Sequence, residues 1–340
     1  MTSSYSTEKI TEVINGTYLL KPSNEQVIVS HFSIDSRKIY SPIVTCFFAL
    51  SSDSRDGHQF IADAYQKGVR CFVVEDKFIN LSLLENACVI KVPNSLTAFQ
   101  NLAAWHINQF TFPTVAITGS NGKTIVKEWL YQLLKSKEKI VRSPKSYNSQ
   151  IGVPLSLFLA SETDTLGLFE AGISQVNEMK TLEGLIKPNV GIITGIGPAH
   201  EENFSSWKEK AIEKLLLFTN CSQLVFCADH ELIRDLIESD PEHKDKEIIS
   251  WGHHPNSDLQ IQSVSKKENH SVIEVTFKNQ KQTAVLPFVD KPSIENCMHC
   301  WATLLAFGYK QEFIVTELLK LKPVAMRLEL KEGNNNCTII

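Results

Sequence analysis

The chain has 340 residues, more than one ordinary hydrophobic core organises, so two or three domains are expected. It is 43% hydrophobic and 21% charged, which excludes a disordered or fibrous chain. Thirty-four basic residues against 38 acidic ones leave a net charge of −4, arguing against a nucleic-acid binder that works through bulk positive charge.

No apolar run reaches the ~18 residues that a membrane-spanning helix needs. The N-terminal MTSSYSTEKITEV lacks the apolar core of a signal peptide. The expected compartment is the cytoplasm, with no membrane insertion. Eight scattered cysteines agree with it. Cys297 and Cys300 form a CxxC, but no second pair stands at zinc-site spacing. They lie in the apolar, helix-like stretch ENCMHCWATLLAFG and read as buried, reduced thiols.

In chain order, residues 27–34 and 44–50 read as strands, and 57–68 as a helix closing on Gly68. Residues 71–76 are another strand, and 96–110 show helical periodicity. Pro113 cannot continue that helix, and an apolar run follows it, so the first domain is placed at 1–110. From Thr114 a strand–loop–helix rhythm begins. TVAIT leads through a glycine-rich turn into a helix from Lys123 to about Lys135, and 166–172 and 189–197 are apolar runs of the kind buried parallel strands carry. An amphipathic helix at 205–218 and a strand at 223–229 follow, then short strands over 247–290 and helices at 293–308 and 311–321. The second domain is placed at 111–323. The fold class is α/β: an N-terminal α/β domain, then a P-loop-type central domain with a mainly parallel sheet flanked by helices. Residues 324–340 are too few to fold as a domain and read as the stub of a further one.

The strongest chemical signal is Thr118-Gly119-Ser120-Asn121-Gly122-Lys123-Thr124, which joins a buried strand to a helix. Glycines let backbone N–H groups approach phosphate oxygens, and a helix N-terminus adds the positive end of its dipole. Lys123 would supply charge to β- and γ-phosphates, and the Thr124 hydroxyl can ligate Mg²⁺. The usual eight-residue pattern needs glycine at position 117, where this chain has Ile117, so the loop is the shorter GxxGKT.

That loop resembles the ATP loop of the Mur ligases, the ATP-dependent amino-acid and peptide ligases of cell-wall synthesis, which folylpolyglutamate synthetases share. Further blocks follow in family order: SYNSQIGVPLSL at 146–157, FEAGIS at 169–174, GPAHEENF at 197–204, AIEKLLLF at 211–218, SIENCMHCWA at 293–302 and MRLE at 326–329. IDSRKI at 34–39, FFAL at 47–50 and DGHQFIADAYQKGVRCFVV at 56–74 resemble the UDP-sugar-binding first domain of the branch that adds D-alanyl-D-alanine to UDP-N-acetylmuramoyl-tripeptide.

The resemblance implies an acyl-phosphate intermediate, ATP and two Mg²⁺ ions. Lys123, Glu170, His200 and Lys214 would be catalytic, and Thr124, Glu170, His200 and a carbamylated Lys214 would hold metal. Residues 118–124, Asn296 and Arg327 would bind the nucleotide. Ser36, Arg37, Asn148 and Ser149 would contact the UDP-sugar peptide. Departures from the family pattern are Ser146, Ser149, Glu295, His299, Ile173, Ser174 and Met326; they leave adenine contacts less defined than phosphate contacts.

The family also has a third, Rossmann-like domain for the incoming dipeptide, which these residues lack, so the expectation is a fragment inactive by itself. Some relatives carry an alanine racemase fused downstream, a partner that the resemblance brings in. The competing readings are another ligase of the superfamily, diamino-acid-adding or folylpolyglutamate synthetase-like, and a nucleotide-binding module without catalysis.

Overall fold

Strands of three or four residues, the three inner ones rich in Phe, Val and Cys, build the first sheet of the computed structural model, which describes residues 3–21, 27–52, 55–76, 81–198, 203–324, 331–332 and 338–339. The chain divides into two compact units, Met1–Thr111 with Gln150–Asp164, and Phe112–Ser149 with Thr165–Ile340. The segment Gln150–Asp164, assigned by the sequence reading to the second domain, therefore groups with the first.

In the first unit, β1 (Thr17–Leu20), β2 (His31–Ser33), β3 (Thr45–Phe48), β4 (Cys71–Val74) and β5 (Cys88–Lys91) form a sheet in the order β1-β5-β4-β3-β2. β1 runs antiparallel to β5 and the other pairings are parallel. β3 and β4 are buried along their whole length, as parallel strands covered on both faces must be. Helices α1 (Thr7–Val13), α2 (Ile61–Gln66) and α3 (Ser95–Ile107) flank it. Asn94 caps α3 by accepting from Thr97 N–H, and Gly68 closes the α2 segment at φ +103°, as its sequence position predicts. Helix α5 (Gly152–Leu157) joins this unit by packing on α3, and Phe158 meets Phe32 and Phe99.

The same contact region buries His106 on α3. Its Nε2–H donates to the carbonyl of Ala160 at 3.1 Å, and its Nδ1 accepts from the Tyr5 hydroxyl at 2.7 Å. Burial pushes its pKa down to about 4, so the folded unit holds it neutral while the unfolded chain takes a proton near pH 6.5. The unfolded state binds more protons between those values, so this contribution is complete above pH 6.5 and is lost as pH falls toward 4, about 3 kcal/mol in full. Urea midpoints at pH 7 and pH 5 should differ accordingly, and His106→Phe should flatten that part of the profile. Equal pH slopes for both proteins between pH 6.5 and 4 would refute it.

In the second unit, β6 (Thr114–Thr118), β7 (Ile140–Arg142), β8 (Leu166–Glu170), β9 (Val190–Ile193), β10 (Gln223–Cys227), β11 (Glu247–Gly252), β12 (Leu259–Lys266), β13 (Ser271–Phe277) and β14 (Gln280–Leu286) make one sheet, ordered β7-β8-β6-β9-β10-β11-β12-β13-β14. The strands from β7 to β12 are parallel, and β13 and β14 finish as an antiparallel meander. Helices α4 (Lys123–Leu134), α6 (Met179–Ile186), α7 (Trp207–Leu215), α8 (Glu231–Ser239), α9 (Lys291–Ala306) and α10 (Gln311–Leu318) complete the unit. β6 lies between β8 and β9, so the chain departs to one side of it and later returns to the other. Open α/β sheets bind ligands outside the carboxyl ends of strands at such a reversal.

Cys297 and Cys300 are wholly buried on α9 in the apolar core with Trp129 and Trp301, and burial pushes both thiols up. At the far end, Lys331–Glu332 pairs antiparallel with Thr338–Ile339. Among the described residues, no helix is long and apolar enough to cross a membrane.

Candidate active site

The carboxyl end of β6 opens directly into the loop from Gly119 to Gly122, and α4 starts at Lys123. Gly122 caps α4 at φ +83°, and a Cβ there would run into the side-chain oxygen of Asn296 on α9. Gly119, at φ +141°, faces Thr194 just past β9 in the same way. Both positions therefore require glycine for backbone conformation and for space.

The loop is braced from the β9 side. Ser120 N–H donates to Gly195 O at 2.8 Å, Gly197 N–H donates to Ser120 Oγ at 2.8 Å, and the Thr194 hydroxyl donates to Asn121 O. Lys123 Nζ bends over the loop and donates to Gly119 O at 2.6 Å and Ser120 O at 3.3 Å. A phosphate entering the loop would exchange these carbonyls for anionic oxygens, a stronger partner for an ammonium.

Thr124 and Glu170 meet as the sequence reading expects. Thr124 Oγ1 donates to Glu170 Oε2 at 3.0 Å, and Glu170, the last residue of β8, is 0% exposed. Ser146 Oγ lies 3.3 Å from Thr124 Oγ1. Asn148 reaches the same strand end, where its carbonyl accepts from Gly172 N–H at 2.8 Å and its side chain lies beside Gly172. Among the described residues, no three His, Cys, Asp or Glu side chains gather as a metal cluster. Thr124 and Glu170 nonetheless offer oxygen donors of the type that Mg²⁺ takes.

Lys214 on α7 is 3% exposed. Burial, then the positive charges of Lys123 and Lys210, push its pKa down to about 7. Lys210, one turn earlier, donates to Gly197 O at 2.6 Å. α7 thus places one lysine on the loop's brace and leaves another partly neutral near Lys123.

The remaining expected residues fall elsewhere. His200 and Arg327 lie outside the described residues. Ser36 and Arg37 sit in the first unit on a short 3₁₀ turn, 36–38, capped by Asp35. Arg37, 84% exposed, forks onto Asp35 with 2.9 and 3.0 Å bonds and holds that carboxyl below its usual range. Ser36 is 3% exposed; its hydroxyl bonds Asp63 and its carbonyl accepts from Lys67 Nζ at 3.0 Å. It braces the turn, whereas Arg37 faces outward.

Three site residues were not foreseen: Thr194, Lys210 and Lys127. Lys127 is the most informative. It shares a helix face with the buried Leu130 and Leu134, and a charge inside such an apolar stripe was the available signal.

The family description "Mur ligase middle domain" matches residues 117–304, from the end of β6 into α9. The chain belongs to the Mur ligase family. Members of this family are ATP-dependent ligases that form C–N bonds. A Bacillus subtilis protein named UDP-N-acetylmuramoyl-tripeptide--D-alanyl-D-alanine ligase is 28% identical over 336 residues, covering 98% of this chain and 70% of that protein. The fold is similar to a MurF crystal structure from Acinetobacter baumannii, with a TM-score of 0.87 at 20% identity over 98% of this chain and 72% of that one. It is also similar to MurF from Thermotoga maritima in complex with ADP, with a TM-score of 0.77 at 23% identity over 89% and 69% of the two chains.

Proposed function

We propose that the protein acts as a cytoplasmic ligase of peptidoglycan precursor synthesis. It joins D-alanyl-D-alanine to UDP-N-acetylmuramoyl-tripeptide, with ATP phosphorylating the tripeptide's terminal carboxylate to an acyl phosphate that the dipeptide amine attacks. The observation that carries this reading is the match through both units, over 98% of the chain, to a relative of that name.

The chemistry needs two anions, a triphosphate and a carboxylate, brought together and neutralised. The 119–122 loop and the N-terminus of α4 would receive the phosphates, and Lys123 would give up its loop carbonyls to bind them. Thr124 and Glu170 would hold Mg²⁺, which when bound screens the charge between the β- and γ-phosphates. Asn148 and Ser149 end the turn whose Asn148 carbonyl meets Gly172, just past Glu170, and would orient the tripeptide. In the first unit, Arg37 would release Asp35 for the diphosphate of the UDP-sugar, where its planar fork suits phosphate oxygens.

Lys214 would act as a carbamate. CO₂ adds to a neutral amine and releases a proton, and a lysine whose pKa is about 7 holds a large neutral fraction at neutral pH. The product is an anion suited, with His200, to a second Mg²⁺.

The test is phosphate release by the full gene product. Release that requires ATP, UDP-N-acetylmuramoyl-tripeptide and D-alanyl-D-alanine together is expected. Release that ignores the dipeptide, or prefers a single amino acid, would move the protein to another branch of the family.

A further inference from the structure

Lys127 lies one turn beyond Lys123 on α4, and its side chain is 0% exposed. A buried ammonium is costly unless its protons are used, and here four oxygens surround it. It donates to the carbonyls of Ser143 and Lys145, each at 2.6 Å, and lies 2.9 Å from Glu170 Oε1 and 3.0 Å from Glu128 Oε1. Those oxygens belong to three segments: α4 itself, the end of β8, and the turn that follows β7.

That turn is under local constraint. Lys145 has φ +50°, a left-handed conformation that residues other than glycine seldom adopt, and its carbonyl is one of those Lys127 grips. Tyr147 N–H donates to Pro144 O at 3.1 Å, and the turn then runs to Asn148, whose carbonyl meets Gly172. Glu170 is held at both oxygens, by Lys127 at Oε1 and by Thr124 at Oε2.

We propose that Lys127 is a positioning residue of the ligase site. It occupies one oxygen of Glu170, so that the other faces Thr124 and the cation, and it fixes the 143–149 turn that carries Asn148 and Ser149. One buried cation thereby sets the cation site and the substrate-facing segment together. This rests on the reading of Thr124 and Glu170 as magnesium holders given above.

The test uses the full chain with Lys127→Met and Lys127→Arg, Mn²⁺ as the metal probe, and a non-hydrolysable ATP analogue. Binding of the analogue without metal should match wild type in both variants, because Lys123 and the loop are untouched. Mn²⁺ affinity in the presence of the analogue should fall about tenfold or more, the usual effect of losing a group that orients a metal ligand. Amide exchange at Tyr147 and Gly172 should accelerate, while the amides in the middle of α4 stay protected. A merely structural lysine would loosen α4 and leave Mn²⁺ affinity alone. If Lys127→Met does not fold, Lys127→Arg carries the test, since it keeps the charge but its larger planar head cannot take the same four oxygens. Wild-type Mn²⁺ affinity with wild-type exchange at Tyr147 in a folded variant overturns the proposal. Failure of the wild-type chain to bind Mn²⁺ with the analogue is a separate result, which removes the magnesium reading and this proposal with it.

Discussion

Replacing Lys123 with alanine is expected to lower ATP affinity about tenfold to a hundredfold. The ammonium donates to the Gly119 and Ser120 carbonyls, which places it over the loop. Binding exchanges those neutral acceptors for phosphate oxygens, and a charge-assisted bond of this kind contributes about 1.5–3 kcal/mol. Protein stability should change little, because the lost bonds are local and the side chain is half-buried. Calorimetric titration of ATP·Mg²⁺ is the check, and equal affinities for variant and wild type would remove the phosphate-loop assignment. Lys123 also helps to depress the pKa of Lys214, so the variant should hold less of that amine in its neutral form at pH 7.

Lys214→Ala is expected to abolish most turnover in the full gene product while ATP affinity stays near normal. It removes the anion proposed for the second cation without touching Lys123 or Thr124. Carbamate formation needs the neutral amine, so in CO₂-depleted buffer wild-type turnover should rise with added bicarbonate, and more readily as pH climbs past about 7. Bicarbonate should do nothing for the variant. A short carboxylate in solution should restore part of its activity by entering the vacated space. Near-normal turnover by Lys214→Ala would make this lysine an ordinary helix residue.

What could be read from the residues alone was local. Gly119, Gly122, Lys123 and Thr124 are contiguous, and their spacing between an apolar run and a helix carries its own geometry. Glu170 was legible because it ends a continuous apolar strand, where a carboxylate has few other uses. Lys127 was not, because a lysine in a helix usually reaches solvent; only the positions of Ser143, Lys145 and Glu170 show what it is for. The helix Glu231–Ser239 went unassigned although its apolar residues Ile233 and Ile237 stand four apart. The strand Cys88–Lys91 did too, being four residues that periodicity cannot classify. The affiliation of Gln150–Asp164 was beyond reach for a different reason. It depends on the contacts of Phe158 with Phe32 and Phe99 and of Ala160 with His106, and no local pattern encodes partners so distant in sequence.

That detour has a consequence for synthesis. As the chain leaves the ribosome, the sheet of the first unit is complete once Lys91 has emerged, yet α3 still lacks the helix that covers it. Its closing residues arrive only with Asp164. By then Thr114–Thr118, an inner strand of the second unit, has been made and waits for the neighbours Leu166–Glu170 and Val190–Ile193. N-terminal domains generally fold first during synthesis, but here the first unit cannot finish before the second has begun. An apolar strand of five residues stays unpaired until Glu170 has emerged, so the nascent chain between Phe112 and Glu170 is a segment that holding by a chaperone would protect.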